Sequence, residues 1–208
     1  MKHLGTFNEP KDATTKVLQT LISYMLNFDK NMHRKIAQKF TPDIHAAKTK
    51  NKMAIVVFDI DDTLLFSTEK FIPNEEVVIF LKRLHELGAE IHLVTARIND
   101  ERMLKDTKDQ LDKLGLKDVY ETLSLAPDEY RIDYTHISKW KMETRKNIAL
   151  MNGIPITLTV GDQWGDMLVL KDDDYISTLD ELHNNKKYHF VRPEDSVSLW
   201  GLKLPVYN

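Results

Sequence analysis

The hydrophobic pattern of this chain predicts a buried parallel sheet. Three largely apolar runs of five or six residues are typical of strands that are covered on both faces. These runs are residues 53–58, 89–94 and 156–160. Longer segments, in which apolar residues recur at the spacing of one helical face, lie between them.

The helical patterns lie where the crossovers of a parallel sheet would run. The first begins at Pro73 with Asn74 as its N-cap and stops at Gly88, and the second runs from about Asp100 to Gly115. The third opens after Ser138, with one face made of Trp140, Thr144, Ile148 and Met151. Because strand and helix alternate, we expect an α/β protein, a three-layer α/β/α sandwich around a central parallel sheet.

Residues 1–50 are predicted to form a helical extension of a core at residues 51–208. Two amphipathic patterns support the helices: Leu18, Leu21, Ile22, Met25 and Leu26 in one, and Met32, Ile36 and Phe40 in the other. Pro42 lacks a backbone N–H and should end the second pattern. Since amphipathic helices need an apolar surface to cover, we expect these to pack on the core or to form a homo-oligomer.

Composition and charge narrow the functional classes. An apolar content of 42% suits one domain with a full-sized core, and a net charge of −3 with dispersed Lys and Arg argues against a nucleic-acid partner. The absence of Cys excludes disulfides and thiolate chemistry. No run reaches membrane-spanning length and the N-terminus lacks the apolar segment of a secretory signal, so we expect a cytoplasmic protein without a membrane partner.

Candidate catalytic groups follow the predicted strands. Asp59 and Asp61 follow the first, Thr95 follows the second, and Asp162 and Asp166 follow the third. An ordinary polar turn would also contain Asp and Thr. Ligands of open α/β sheets, however, bind beyond the carboxyl ends of the strands, where these side chains would converge. Clustered carboxylates repel one another unless a cation or a shared proton relieves them, and hard oxygen ligands favour Mg²⁺.

The order and spacing of these motifs resemble the haloacid dehalogenase-like (HAD) superfamily of phosphotransferases. Its signature is DxDxT, a Ser or Thr after a strand, a Lys, and GDxxxD, which correspond here to residues 59–63, Thr95, 141–146 and 161–166. The last two regions are most similar to secreted bacterial and plant acid phosphatases and vegetative storage proteins, as is the tail at 202–207. The resemblance covers about residues 53–207 and implies a Rossmann-like core.

The resemblance implies that the chain is a phosphoric monoester hydrolase with four catalytic residues. Asp59 would be the nucleophile that forms an aspartyl-phosphate, and Asp61 would protonate the departing alkoxide and then activate water. Thr95 would hydrogen-bond the phosphoryl oxygens, and Lys141 would neutralise their developing charge.

The same resemblance implies a Mg²⁺ site. Asp59, Asp162 and the backbone carbonyl of Asp61 would hold the ion, and Asp166 would bind it directly or through water. The substrates would be small phosphomonoesters such as nucleotides.

Two assignments stay open between neighbouring basic residues. Lys139 and Lys146 compete with Lys141 for the lysine role, and Lys141 is favoured because its four-residue step to Arg145 reproduces the family pattern. Arg97 follows Thr95 closely, so it either contacts the substrate or forms a structural salt bridge.

The segment 64–73 is short where the related acid phosphatases carry a longer insertion. A short or absent cap implies an open site, unless the N-terminal helices, residues 126–135 or a partner subunit cover it. Two alternative functions follow. A phosphatase for nucleic-acid ends would suit an open site, although the near-neutral charge argues against it. A storage or binding protein on a phosphatase scaffold is opposed by the retained Asp59.

Overall fold

The structure is a computed structural model that describes residues 2–7, 54–67, 71–86, 89–167, 188–192 and 197–204. The helices predicted between residues 12 and 50 lie outside these ranges, so the helical extension and its boundary at residue 50 remain predictions. Residues 2–7, which belong to the predicted extension, form a strand.

In chain order the strands are β1 (Lys2–Phe7), β2 (Ala54–Phe58), β3 (Leu65–Phe66), β4 (Ile72–Pro73), β5 (Ala89–Ile98), β6 (Thr122–Ala126), β7 (Ile156–Gly161), β8 (Tyr188–Arg192) and β9 (Ser198–Lys203). Seven of them form one sheet in the order β1-β8-β9-β7-β2-β5-β6. The strands from β9 to β6 are mutually parallel, which confirms the predicted central parallel sheet. The antiparallel addition of β8 and β1 at one edge was not predicted.

Within the described ranges, three α-helices connect the strands: α1 (Glu75–Glu86), α2 (Glu101–Lys113) and α3 (Tyr134–Asn152). The first two agree with the predicted helices. The side chain of Asp100 caps α2 by accepting the N–H of Met103 at 2.7 Å. Helix α3 begins four residues before the predicted Ser138, because Asp133 supplies the same kind of cap to the N–H of His136 at 2.9 Å.

Each face of the sheet has its own hydrophobic core. On one face Phe58 of β2 meets Phe80 of α1 edge to face, with ring centroids 6.1 Å apart. On the other face Val57 belongs to a cluster with Trp140 and Ile148 of α3. Full burial of such side chains contributes roughly 1.5–3 kcal/mol each, so β2 is stabilised from both sides and the three-layer α/β/α architecture is confirmed.

The inward face of α3 differs from the predicted one. Met151 was placed on that face but is 78% exposed, whereas Lys141, Arg145 and Asn152 are buried. These three residues share a helical face that is offset from the apolar pattern. The prediction is confirmed at Trp140 and Ile148, which are buried, and wrong at Met151, because it followed hydrophobicity and missed the buried polar residues such as Lys141.

The predicted short segment at 64–73 contains a small antiparallel pair, β3 with β4. Asp62, three residues before β3, and Phe71, directly before β4, adopt positive φ values of 54° and 45°. Among the helices that the structure describes, none combines the length and the apolarity that crossing a bilayer requires.

Candidate active site

The predicted catalytic segments meet at the carboxyl ends of three adjacent strands, β7, β2 and β5. The N–H of Asp59 donates to the carbonyl of Val160 at 2.9 Å, which ties the end of β2 to the end of β7. Asp162 directly follows β7, while Thr95 lies inside β5, which continues to Ile98 instead of ending before Thr95. The parallel topology therefore brings together residues that are about a hundred positions apart in sequence.

Asp59, Asp162 and Asp166 form a buried carboxylate cluster. One oxygen from each residue lies within 4.8 Å of the others, and none of the three residues is more than 5% exposed. Hard, closely spaced oxygens of this kind suit a divalent cation such as Mg²⁺. Asp61 is not one of these three residues, and the predicted contact of its backbone carbonyl with the ion remains a prediction.

The loop after β7 positions Asp166 through close contacts. The N–H of Gln163 donates to Oδ2 of Asp166 at 2.9 Å, and Nη1 of Arg145 donates to the Asp166 carbonyl. A Cβ added to Gly161 would overlap the Asp166 carboxyl group, so only glycine leaves room for it. The first glycine of the GDxxxD motif is therefore required by space.

Lys141 is the lysine that reaches the cluster. Its Nζ donates to Oδ1 of Asp59 at 2.7 Å and to Oδ1 of Asp166 at 2.5 Å. Lys139 and Lys146, the two competing residues on the same helix, are exposed to solvent. Of these three lysines on α3, Lys141 is the one whose side chain faces the carboxylates.

The electrostatics of the cluster indicate an excess of negative charge. Burial raises the pKa of Asp59 well above its usual range, and Asp166 and Asp162 raise it further against the opposing effect of Lys141. Burial and the neighbouring Asp166 raise the pKa of Asp162 to about 7. Burial alone would lower the pKa of Lys141, but the attraction of Asp166 and Asp59 outweighs it and raises that pKa. A divalent cation would relieve this repulsion, so the residues fit the predicted metal.

A cavity of about 360 Å³ opens beside the cluster. The segment 126–135, which was expected as one of three covers, supplies part of its wall. The lining consists of Asp59, Asp61, Asp62, Ala96, Arg131, Asp133, Tyr134, Ile137, Lys141, Asp162 and Gln163. Its size lies at the lower end of the range for small-molecule sites, about 300–1,000 Å³.

Thr95 is fully buried. Its hydroxyl donates to Oδ2 of Asp61 at 3.3 Å and accepts the N–H of Arg97 at the same distance. The next residue, Ala96, lines the cavity wall. Thr95 therefore lies next to Asp61 in this structure, and its predicted contact with a phosphoryl oxygen remains a prediction.

Arg97, which the sequence left outside the core set of site residues, contacts Asp61. Its Nη2 donates to Oδ1 of Asp61 at 2.7 Å, and its Nε donates to Oδ2 at 2.9 Å. Residues two apart on a strand face the same side, so the position of Arg97 relative to Thr95 was the available signal. The partner could not be read from sequence, because Asp61 follows a different strand.

Comparison with known proteins identifies one family. Residues 69–181, more than half of the chain, match the family model described as HAD superfamily, subfamily IIIB (Acid phosphatase). The matched region contains Thr95, Lys141, Asp162 and Asp166 and begins after the segment that carries Asp59.

The other comparisons add little. No curated protein matches the chain. The solved "Structure of Pnkp1/Rnl/Hen1 complex" is similar over 58% of this chain, with 18% sequence identity and a TM-score of 0.43, and the similarity covers 43% of that longer chain.

Proposed function

The chain belongs to subfamily IIIB of the HAD superfamily, the acid phosphatases, and from this premise we propose that it is a Mg²⁺-dependent phosphomonoesterase with an aspartyl-phosphate intermediate on Asp59. The observation that carries the proposal is the buried cluster of three carboxylates, with Lys141 bonded to two of them. A solvated polar turn would not explain buried carboxylates from two separate strands around one lysine. Phosphoryl transfer requires both the positive charge and the aligned nucleophile that this arrangement provides.

In the first half-reaction, a carboxylate oxygen of Asp59 attacks phosphorus and the bond from phosphorus to the leaving oxygen breaks. Lys141 fixes Asp59 through Oδ1 and supplies positive charge next to the transferring group. Asp61 lines the same cavity and enters this step in its protonated form, from which it gives a proton to the leaving oxygen. In the second half-reaction, Asp61 takes a proton from water, which attacks the phosphorus and releases phosphate and Asp59.

Asp59, Asp162 and Asp166 would hold the Mg²⁺, with the backbone carbonyl of Asp61. When bound, the ion neutralises charge on the phosphoryl oxygens and offsets the repulsion among the carboxylates. A small cavity supports small phosphomonoesters, such as nucleotides, as substrates. A cytoplasmic location is part of the same proposal.

Hydrolysis of p-nitrophenyl phosphate and of a panel of nucleotides, with and without Mg²⁺, tests this function. We expect activity that requires the metal and that Asp59→Asn abolishes, because an amide cannot form the acyl phosphate. Asp109→Asn, which changes an exposed residue of α2, is the matched control and should retain activity. Activity that survives Asp59→Asn, or that needs no divalent metal, would contradict the mechanism.

A further inference from the structure

We propose that Arg97 is a positioning residue that fixes the plane of the Asp61 carboxyl group, which in its protonated form gives a proton to the leaving group. The inference rests on the proposed function, since only there does Asp61 act as a general acid and base. The sequence left open whether Arg97 contacts the substrate or forms a structural salt bridge, and in the structure Arg97 pairs with Asp61.

The two side chains meet in a fork geometry. Nη2 of Arg97 donates to Oδ1 of Asp61 at 2.7 Å, and Nε reaches Oδ2 at 2.9 Å and Oδ1 at 3.1 Å. Paired donors of this kind fix the plane of a carboxylate as well as its position. Thr95 adds a contact to Oδ2 at 3.3 Å, so both oxygens of Asp61 are oriented from the side of β5.

The guanidinium of Arg97 is itself anchored independently of Asp61. Its Nη1 donates to Oε1 of Gln110 at 2.7 Å and to Oγ1 of the buried Thr107 at 3.0 Å, both on α2. The ring of Phe71 lies on the guanidinium, with its centroid 5.6 Å from Cζ. Arg97 thus links Asp61 to α2, none of whose residues lines the cavity.

A purely stabilising salt bridge does not account for the exposure of the pair. The side chain of Asp61 is 32% exposed and lines the cavity, whereas that of Arg97 is 7% exposed. Water that reaches Asp61 screens the attraction and reduces what the pair contributes to stability. Holding the acid within hydrogen-bond reach of a substrate oxygen, by contrast, affects the rate directly, since misplacement by about 1 Å can cost 10²-fold.

The basicity of the leaving group distinguishes a positioning role of Arg97 from a purely structural one. An alkyl phosphate releases a strongly basic alkoxide that needs a proton, whereas p-nitrophenolate leaves without one. The parameter kcat/KM reports the steps through the first phosphoryl transfer and excludes hydrolysis of the intermediate. If Arg97 acts through Asp61, its loss should therefore reduce kcat/KM for the alkyl ester selectively.

The experiment compares glycerol 2-phosphate with p-nitrophenyl phosphate for the wild type, Arg97→Gln and Arg97→Lys. We expect Arg97→Gln to lower kcat/KM by about 10²-fold for the alkyl ester and by less than about 5-fold for the aryl ester. Arg97→Lys keeps the charge but not the fork, so it should fold like the wild type and show the same selectivity with a smaller loss. Arg102→Gln, 92% exposed on α2, is the matched control and should change neither value.

The Asp61→Asn background completes the test. There we expect Arg97→Gln to cause no further loss for either ester, because the carboxylate that it positions is gone. Equal losses for both esters, or an additional loss in the Asp61→Asn background, would overturn the proposal. Failure of the proposed function looks different: the wild type itself would hydrolyse neither ester in a Mg²⁺-dependent manner.

Discussion

Replacing Lys141 with Met tests whether this buried cation holds the carboxylate cluster together. Met preserves most of the length and apolar contact of the lysine stem but removes Nζ, which donates to Asp59 at 2.7 Å and to Asp166 at 2.5 Å. Lys139 lies two residues earlier on the same helix and is exposed, so Lys139→Met is a control that removes the same charge.

The expected loss of unfolding free energy follows from the burial of Lys141. Removing one partner of a buried ion pair costs about 3–5 kcal/mol, because it leaves an uncompensated charge in the interior. Lys141 lowers the pKa of Asp59, so its removal would raise that pKa further above the value in the unfolded chain. An acid with a raised pKa binds its proton more tightly in the folded state, and stability then falls as the pH rises. The loss should therefore be large at pH 8 and clearly smaller at pH 5.

Urea denaturation in the presence of EDTA measures this difference. We expect Lys141→Met to lose about 3–5 kcal/mol of unfolding free energy at pH 8, and Lys139→Met to stay within about 0.5 kcal/mol of the wild type. We also expect kcat with Mg²⁺ to fall at least about 10²-fold in Lys141→Met. Equal stability of the two variants at pH 8, or a loss in Lys141→Met that is the same at both pH values, would refute the reasoning.

Two further predictions concern the metal ligands. The pKa of Asp162 is raised from 3.8 to about 7, so the metal-free wild type should lose up to roughly 4 kcal/mol of stability between about pH 4 and pH 7. In urea denaturation at several pH values, the unfolding free energy of Asp162→Asn should change less over this pH range than that of the wild type. A wild-type unfolding free energy that is constant over the range would contradict the raised pKa of Asp162. Gly161→Ala should displace Asp166 and raise the Mg²⁺ concentration for half-maximal activity at least about 10-fold. The circular dichroism spectrum should change little. An unchanged Mg²⁺ dependence would show that Asp166 does not bind the metal.

The sequence predicted the central sheet and the positions of the acidic residues because both depend on short-range patterns. A run of five apolar residues marks β2, and Asp59 follows it directly. The same reasoning applies to β7 and Asp162. Adjacent ends of parallel strands then bring the residues together without further information.

The remaining features depend on tertiary contacts that no local pattern records. Arg97 reaches Asp61 only because β5 pairs with β2, and Gln110 joins them from α2. The edge strands β8 and β1 lack a continuous apolar run, so their pairing is visible only in the folded chain. The exposure of Met151 was missed because hydrophobicity cannot show which face of a helix meets polar groups.

The central pairing of β2 with β7 has a consequence for how the protein refolds. These neighbours in the sheet are about a hundred residues apart in the chain, so loop-closure entropy opposes their meeting early in folding. The N–H of Asp59 bonds to β7 at this seam, and the cluster cannot assemble before the seam closes. Enzyme activity during dilution from denaturant should thus recover later than helical circular dichroism and provide a kinetic probe of when β2 pairs with β7.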